Sequence, residues 1–146
     1  NRPPLNPVIL IASQCSFFAS SGLTIPTAAE ELMKRFWPGL LTLVLPTTQN
    51  PEGTAVRVSD HPFIRAVFSG LATPLISTSA NLSGQKYSPD PDKIYETFCS
   101  SVDFMIDAGS LPPSPPSTVV KISNDNKISL IREGAVSSAE IFHTVS

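Results

Sequence analysis

The sequence predicts an α+β (mixed α/β) fold, a mixed sheet with helices covering its faces. Two observations carry that expectation. Short apolar runs interleave with segments of helical periodicity, and two pairs of runs are joined by turn-rich connections that suit hairpins. Hairpins impose antiparallel pairs, whereas interleaved helices permit parallel ones.

The elements follow in order. "PVILIAS" (Pro7 to Ser13) is almost wholly apolar and predicts a strand covered on both faces. After a Ser-rich connection, "TAAEELMKRFW" predicts a helix with a capping box at Thr27 and Glu30 and a stop at Pro38-Gly39. Leu32 and Phe36, with Met33 beside them, should face the core. "LLTLVLP" and "TAVRVSD" predict strands, and "TTQNPEG" between them suits a hairpin loop. In "DHPFIRAVFSGLA", Asp60 can cap a helix that carries Pro62 in its first turn and ends at Gly70. "PLISTSA" is the next expected strand, "DPDKIYETFCS" a short helix capped by Asp90, and "VDFMIDAG" a further strand. "SLPPSPPS" is a stiff extended loop. "STVVKIS" and "ISLIREG", joined by "NDNK", predict a second hairpin, and "SSAEIFHTV" a helix with a capping box at Ser137 and Glu140.

Bulk properties narrow the class. With 146 residues the chain fits one domain, residues 1–146, and can bury a sizeable core from its 41% hydrophobic content. Charged residues make up 15%, against a usual ~25%. A net charge of -2 with only 10 Lys plus Arg argues against broad nonspecific nucleic-acid binding. Cys15 and Cys99 match no metal-ligand spacing and read as reduced structural thiols of a cytoplasmic protein. No apolar run approaches the roughly 18 residues of a membrane helix, and no segment resembles a signal peptide. The first residue is Asn1, not Met, so the chain is expected to be incomplete at its start.

No catalytic triad can be argued, and the H-E-x-x-H, Walker and G-x-G-x-x-G patterns are absent. His61 and His143 read as surface or capping residues. What remains is a set of polar groups at strand ends. "STSANLSG", Ser77 to Gly84, suits either an ordinary turn or a phosphate site, where backbone N–H groups and hydroxyls approach an anion. If the strand persists, Ser77, Ser79 and Asn81 share one side. Arg57 lies inside the alternation "AVRV", facing solvent or gripping a carboxylate or phosphate from a pocket. Arg132 in "LIREG" poses the same choice; Ser117 and Thr118 open a strand where hydroxyls could line a cleft.

Five ordered segments, "KRFWPGLLTLVLP", "AVRVSDHP", "PLISTSANLSG", "STVV" and "LIREGAV", resemble the YrdC family of threonylcarbamoyl-AMP synthases. The likeness runs from Arg2 to about Val136. It implies a twisted mixed sheet with helices on both faces around a concave cavity. It also implies synthesis of L-threonylcarbamoyladenylate and pyrophosphate from L-threonine, bicarbonate and ATP, with Mg²⁺ accompanying the ATP. A partner complex would pass the product to tRNA. By resemblance, Arg2, Ser79, Asn81 and Arg132 bind ATP, while Arg57 and Ser117 bind threonine. No protein nucleophile and no protein metal ligand are implied. The family's N-terminal segment, with its T-D-T-x-Y-G motif and the lysine of K-x-R, has no counterpart here, so activity of this chain alone is in doubt. Two other readings remain: a carbamoyl-AMP-forming carbamoyltransferase domain and a double-stranded RNA-binding module.

Overall fold

A computed structural model describes residues 8–146, which fall into two compact units, one of residues 8–77 and 115–146, the other of residues 78–114. Arg2 and the first residue of the first expected strand lie outside the described residues.

The larger unit is built on six strands: β1 (Ile9–Ala12), β2 (Leu41–Leu45), β3 (Thr54–Val58), β4 (Leu75–Ser77), β5 (Thr118–Ile122) and β6 (Ile128–Arg132). Their order across the sheet is β4-β1-β3-β2-β5-β6. Both expected hairpins form, β2 with β3 and β5 with β6, each antiparallel. The pairs β1–β3 and β2–β5 are parallel, so the sheet is mixed as expected.

Register separates two unlike faces, because residues paired across strands share a face. One face presents Ala12, Leu41, Leu43, Leu45, Val56, Val58, Val120 and Ile122, all in the buried core cluster. Helices α1 (Thr27–Phe36) and α4 (Ser138–Thr144) supply Ala29, Leu32 and Ile141 to that cluster. Phe18 joins it from the 3-10 helix Cys15–Ser21. Phe68 joins from the 3-10 turn that follows α2 (Pro62–Val67). Each of these large apolar side chains contributes about 1.5–3 kcal/mol by leaving water. Met33 and Phe36 pack partly buried against the cluster, beside the fully buried Leu32. The other face carries Ile9, Ile11, Thr42, Val44, Ala55, Arg57, Val119 and Arg132.

That second face corrects the first strand. It was expected to be covered on both sides, yet only Ala12 is buried and Ile9 to Ile11 are half-buried. By contrast β2 is buried at all five positions. The run "VDFMIDAG" forms no strand in the described sheet, and Phe104 stands 78% exposed. Its alternation supplied the apolar period but no hydrogen-bonding neighbour, and without one a strand does not form.

The helix ends also sort themselves. Ser137 caps α4, accepting from the Glu140 N–H while the Glu140 side chain accepts from the Ser137 N–H, the predicted capping box. The same spacing at Thr27 and Glu30 does not cap α1, because Pro26 occupies the cap position and Thr27 is already helical. Instead Asn126, in the β5–β6 turn, accepts from the Ala28 N–H through Oδ1 at 3.0 Å. Asn126 itself has φ of 61°, in the left-handed region that asparagine tolerates best after glycine. We therefore expect Asn126→Ala to lower stability by about 1–2 kcal/mol, through the lost cap and the strained backbone. Asn126→Gly, which relieves the backbone, should lose less; equal melting temperatures for the two variants would contradict this account. α2 is capped by His61 Nδ1, which accepts from Phe63 N–H, rather than by the expected Asp60. In the smaller unit, α3 (Pro91–Phe98) is capped by Asp90 as expected.

Candidate functional site

The larger unit gathers polar side chains at one end of the sheet's second face. Arg57 is the penultimate residue of β3, Thr42 the second of β2, and Arg132 the last of β6, while Ser117 immediately precedes β5. The parallel and antiparallel pairings place these strand ends at the same edge. Neighbouring strands are about 4.8 Å apart, so the groups span roughly 15 Å.

Arg57 is half-buried. Its Nε donates to the carbonyl oxygen of Gly39 at 3.0 Å, which fixes the plane of the guanidinium. Among the described residues the terminal nitrogens of Arg57 have no acceptor. Burial pushes its pKa down and the nearby Asp60 carboxylate pulls it back up. Of the two sequence readings, the half-buried, oriented fork describes Arg57 better than a solvated side chain does.

Arg132 closes on Ser117. Its Nη2 donates to the Ser117 carbonyl at 2.9 Å and reaches the Ser117 hydroxyl at 3.4 Å, with Nε at 3.3 Å from the same carbonyl. The Ser117 hydroxyl also meets that of Thr42 at 2.9 Å. Thr118 Oγ1 donates to the Val136 carbonyl at 2.5 Å and accepts from the N–H groups of Gly134 and Val136. Its hydroxyl is thus engaged in holding the segment after β6. Farther along the same face, Lys121 is neutralised by Glu52 at 2.8 Å. Among the described residues neither Arg57 nor Arg132 has such a carboxylate partner. Two guanidiniums and a hydroxyl on one face can take an acceptor-rich anion, a carboxylate or a phosphate.

The smaller unit holds Ser79 and Asn81. β4 ends at Ser77, so the alternation that would align Ser77, Ser79 and Asn81 stops before it can act. Asn81 is placed by a turn instead: Nδ2 donates to the carbonyls of Leu82 at 3.1 Å and Gln85 at 2.8 Å, and its N–H to the carbonyl of Ser79. Asn81 lines a cavity of about 370 Å³ with Gln85, Lys86, Ser88, Lys93 and Thr97. Ser79 lines a second, of about 290 Å³, with Tyr95, Phe98, Phe104 and Met105.

Cys15 and Cys99 are both free and both exposed. His143 is exposed near the end of α4. Among the described residues no group of three or more His, Cys, Asp or Glu could hold a metal ion. No helix there is long and apolar enough to cross a membrane. Sequence reasoning missed Gly39, which acts through its carbonyl, and Thr42, the one hydroxyl in the apolar run "LLTLVLP". An isolated hydroxyl in a fully buried strand was the available signal.

The Sua5/YciO/YrdC family model, described as "Telomere recombination", matches residues 1–134. The chain belongs to this family. A threonylcarbamoyl-AMP synthase of Bacillus subtilis (strain 168) is 31% identical over 149 residues, covering 96% of this chain and 43% of the relative. The crystal structure of P. abyssi Sua5 complexed with L-threonine superposes with a TM-score of 0.80 at 31% identity, covering 99% of this chain and 44% of that one. E. coli YciO gives a TM-score of 0.80 at 26% identity, covering 96% of this chain and 71% of that one. The chain thus spans less than half of the B. subtilis relative and of P. abyssi Sua5. The likeness of the mixed sheet and its helices to these Sua5/YciO structures agrees with the fold class read from the sequence.

Proposed function

We propose that this chain carries substrate-binding parts of a threonylcarbamoyl-AMP synthase, which forms L-threonylcarbamoyladenylate and pyrophosphate from L-threonine, bicarbonate and ATP. The observation that supports it most is Arg57, a half-buried guanidinium fixed through Nε and, among the described residues, open at both terminal nitrogens. It lies on the face that also holds Ser117 and Arg132, in a chain similar to a Sua5 whose structure contains L-threonine.

In this reading the fork of Arg57 takes the threonine carboxylate by two parallel hydrogen bonds, and the Ser117 hydroxyl adds a third. Arg132 is a nucleotide contact of the larger unit, Ser79 and Asn81 are nucleotide contacts of the smaller one, and Arg2 is assigned to the nucleotide by family resemblance. The threonine nitrogen forms a bond to the carbon of bicarbonate with loss of water, giving an N-carboxylate. An oxygen of that carboxylate attacks the α-phosphorus, and the bond to the departing pyrophosphate breaks. Every reacting partner is anionic, so the protein's task is to bring them together and offset their repulsion. No side chain needs to act as nucleophile. The donors at this end are guanidinium and hydroxyl, which do not make a magnesium cage. Mg²⁺ would therefore arrive on the triphosphate as part of the substrate. The product would then pass to a partner complex that modifies tRNA.

The test is pyrophosphate release from ATP by the full-length polypeptide, with and without L-threonine and bicarbonate, beside the Asn81→Ala variant. Release that depends on threonine, and falls in the variant, is the expected result. Release that needs an added carbamoyl donor and not threonine would point to carbamoyl transfer instead. No release, with salt-dependent retention on duplex RNA, would replace the synthase by an RNA-binding module.

A further inference from the structure

We infer that Thr42 is a positioning residue that turns the Ser117 hydroxyl into a donor aimed at a bound carboxylate. The inference rests on the threonine-binding reading of Ser117 above.

Thr42 lies in β2, a strand buried at every position and otherwise made of leucine and valine. A hydroxyl in such a place is unfavourable unless it is hydrogen-bonded. Its partner is the Ser117 hydroxyl at 2.9 Å, on the neighbouring β5 side. Ser117 is itself buried, and its oxygen is also reached by Arg132 Nη2 at 3.4 Å. A serine oxygen has two acceptor positions and one proton. When Thr42 donates to Ser117, Thr42 and Arg132 together fill both acceptor positions, and the Ser117 proton has no use except outward donation.

A carboxylate can only accept. Binding one therefore fixes the direction of the whole chain: Thr42 to Ser117, Ser117 to ligand, with each bond polarising the next. Without a ligand the same pair can run in reverse, Ser117 donating to Thr42, because either oxygen can be the donor. Thr42 thus touches no substrate and acts through its neighbour. β2 also lies between β3, which carries Arg57, and β5, so Ser117 and Arg57 flank Thr42 from opposite sides.

The experiment is calorimetric titration of L-threonine into the full-length polypeptide, comparing the parent with Thr42→Val, Thr42→Ser and Ser117→Ala. Valine keeps the shape of threonine and removes its hydroxyl. Thr42→Val is expected to weaken L-threonine binding by about five- to tenfold, the size of one hydrogen bond. Thr42→Ser should restore it. In a Ser117→Ala background the Thr42→Val change should have no further effect, which a merely structural role would not produce. Unchanged binding in Thr42→Val, or an equal loss with and without Ser117, overturns the inference while leaving the substrate reading intact. If the parent itself does not bind L-threonine, both fall together. Should Thr42→Val not fold, Thr42→Ala must show the same loss and the same dependence on Ser117.

Discussion

Arg57→Ala is expected to cut threonine-dependent pyrophosphate release by about 10²–10⁴-fold in kcat/KM, the largest effect of any single side chain on this face. The magnitude follows from the geometry. Two hydrogen bonds to a carboxylate, each charge-assisted, are worth about 1.5–3 kcal/mol apiece, and every 1.4 kcal/mol is a factor of ten. The loss should fall on kcat/KM for threonine, with ATP affinity little changed, because Arg57 is assigned to threonine and not to the nucleotide in this reading. Arg57→Lys separates charge from shape. Lysine keeps the positive charge but has no Nε to rest on the Gly39 carbonyl and no planar fork. It should therefore be nearly as impaired as alanine. Full activity in the lysine variant would show that only charge is needed there, and would remove the bidentate grip from the argument. The protein should remain folded in either case, since the guanidinium is half-buried and its one described protein acceptor, the Gly39 carbonyl, can turn to water.

What could be read from sequence divides along the line between local and distant interactions. The capping box at Ser137 and Glu140 needs only residues three apart, and it forms. The same spacing at Thr27 fails because the helix takes its cap from Asn126, far along the chain. Both hairpins were legible in their turns. The parallel pairings of β1 with β3 and β2 with β5 were not, since no local pattern specifies a crossover. "VDFMIDAG" had the period of a strand, but period alone cannot supply a partner. The site behaves likewise. Arg57, Ser117 and Arg132 announced themselves as polar residues at strand ends, and the register puts them on one face. Gly39 was invisible because its part is played by a carbonyl, and Thr42 was hidden within an apolar run that pattern reading treats as core.

Gly134→Ala should destabilise the fold and loosen the site at once. A Cβ at position 134 would stand 2.2 Å from the Pro116 carbonyl oxygen and 2.8 Å and 2.9 Å from the Ser117 carbonyl carbon and oxygen. All three are backbone atoms, which cannot swing aside as a side chain can. The two segments are also stitched together: Ala135 N–H donates to the Pro116 carbonyl at 2.9 Å, and the Thr118 hydroxyl holds the N–H groups of Gly134 and Val136. Making room for a methyl group must stretch or break these bonds. Overpacking costs about 1–3 kcal/mol, and each buried donor left unpaired about 1–3 more. We expect a melting temperature roughly 10 °C lower, at a few degrees per kcal/mol. Gly70, where an added Cβ meets nothing within 4 Å, is the matched control, and Gly70→Ala should melt like the parent. The chemical consequence follows from where the strain lands. The Ser117 carbonyl is the main rest for the Arg132 guanidinium, so displacing it moves both a proposed threonine contact and a proposed nucleotide contact. Threonine binding measured well below the lowered melting temperature should therefore still be weakened. A Gly134→Ala protein that melts within about 2 °C of its parent would mean the segments part more easily than their hydrogen bonds imply.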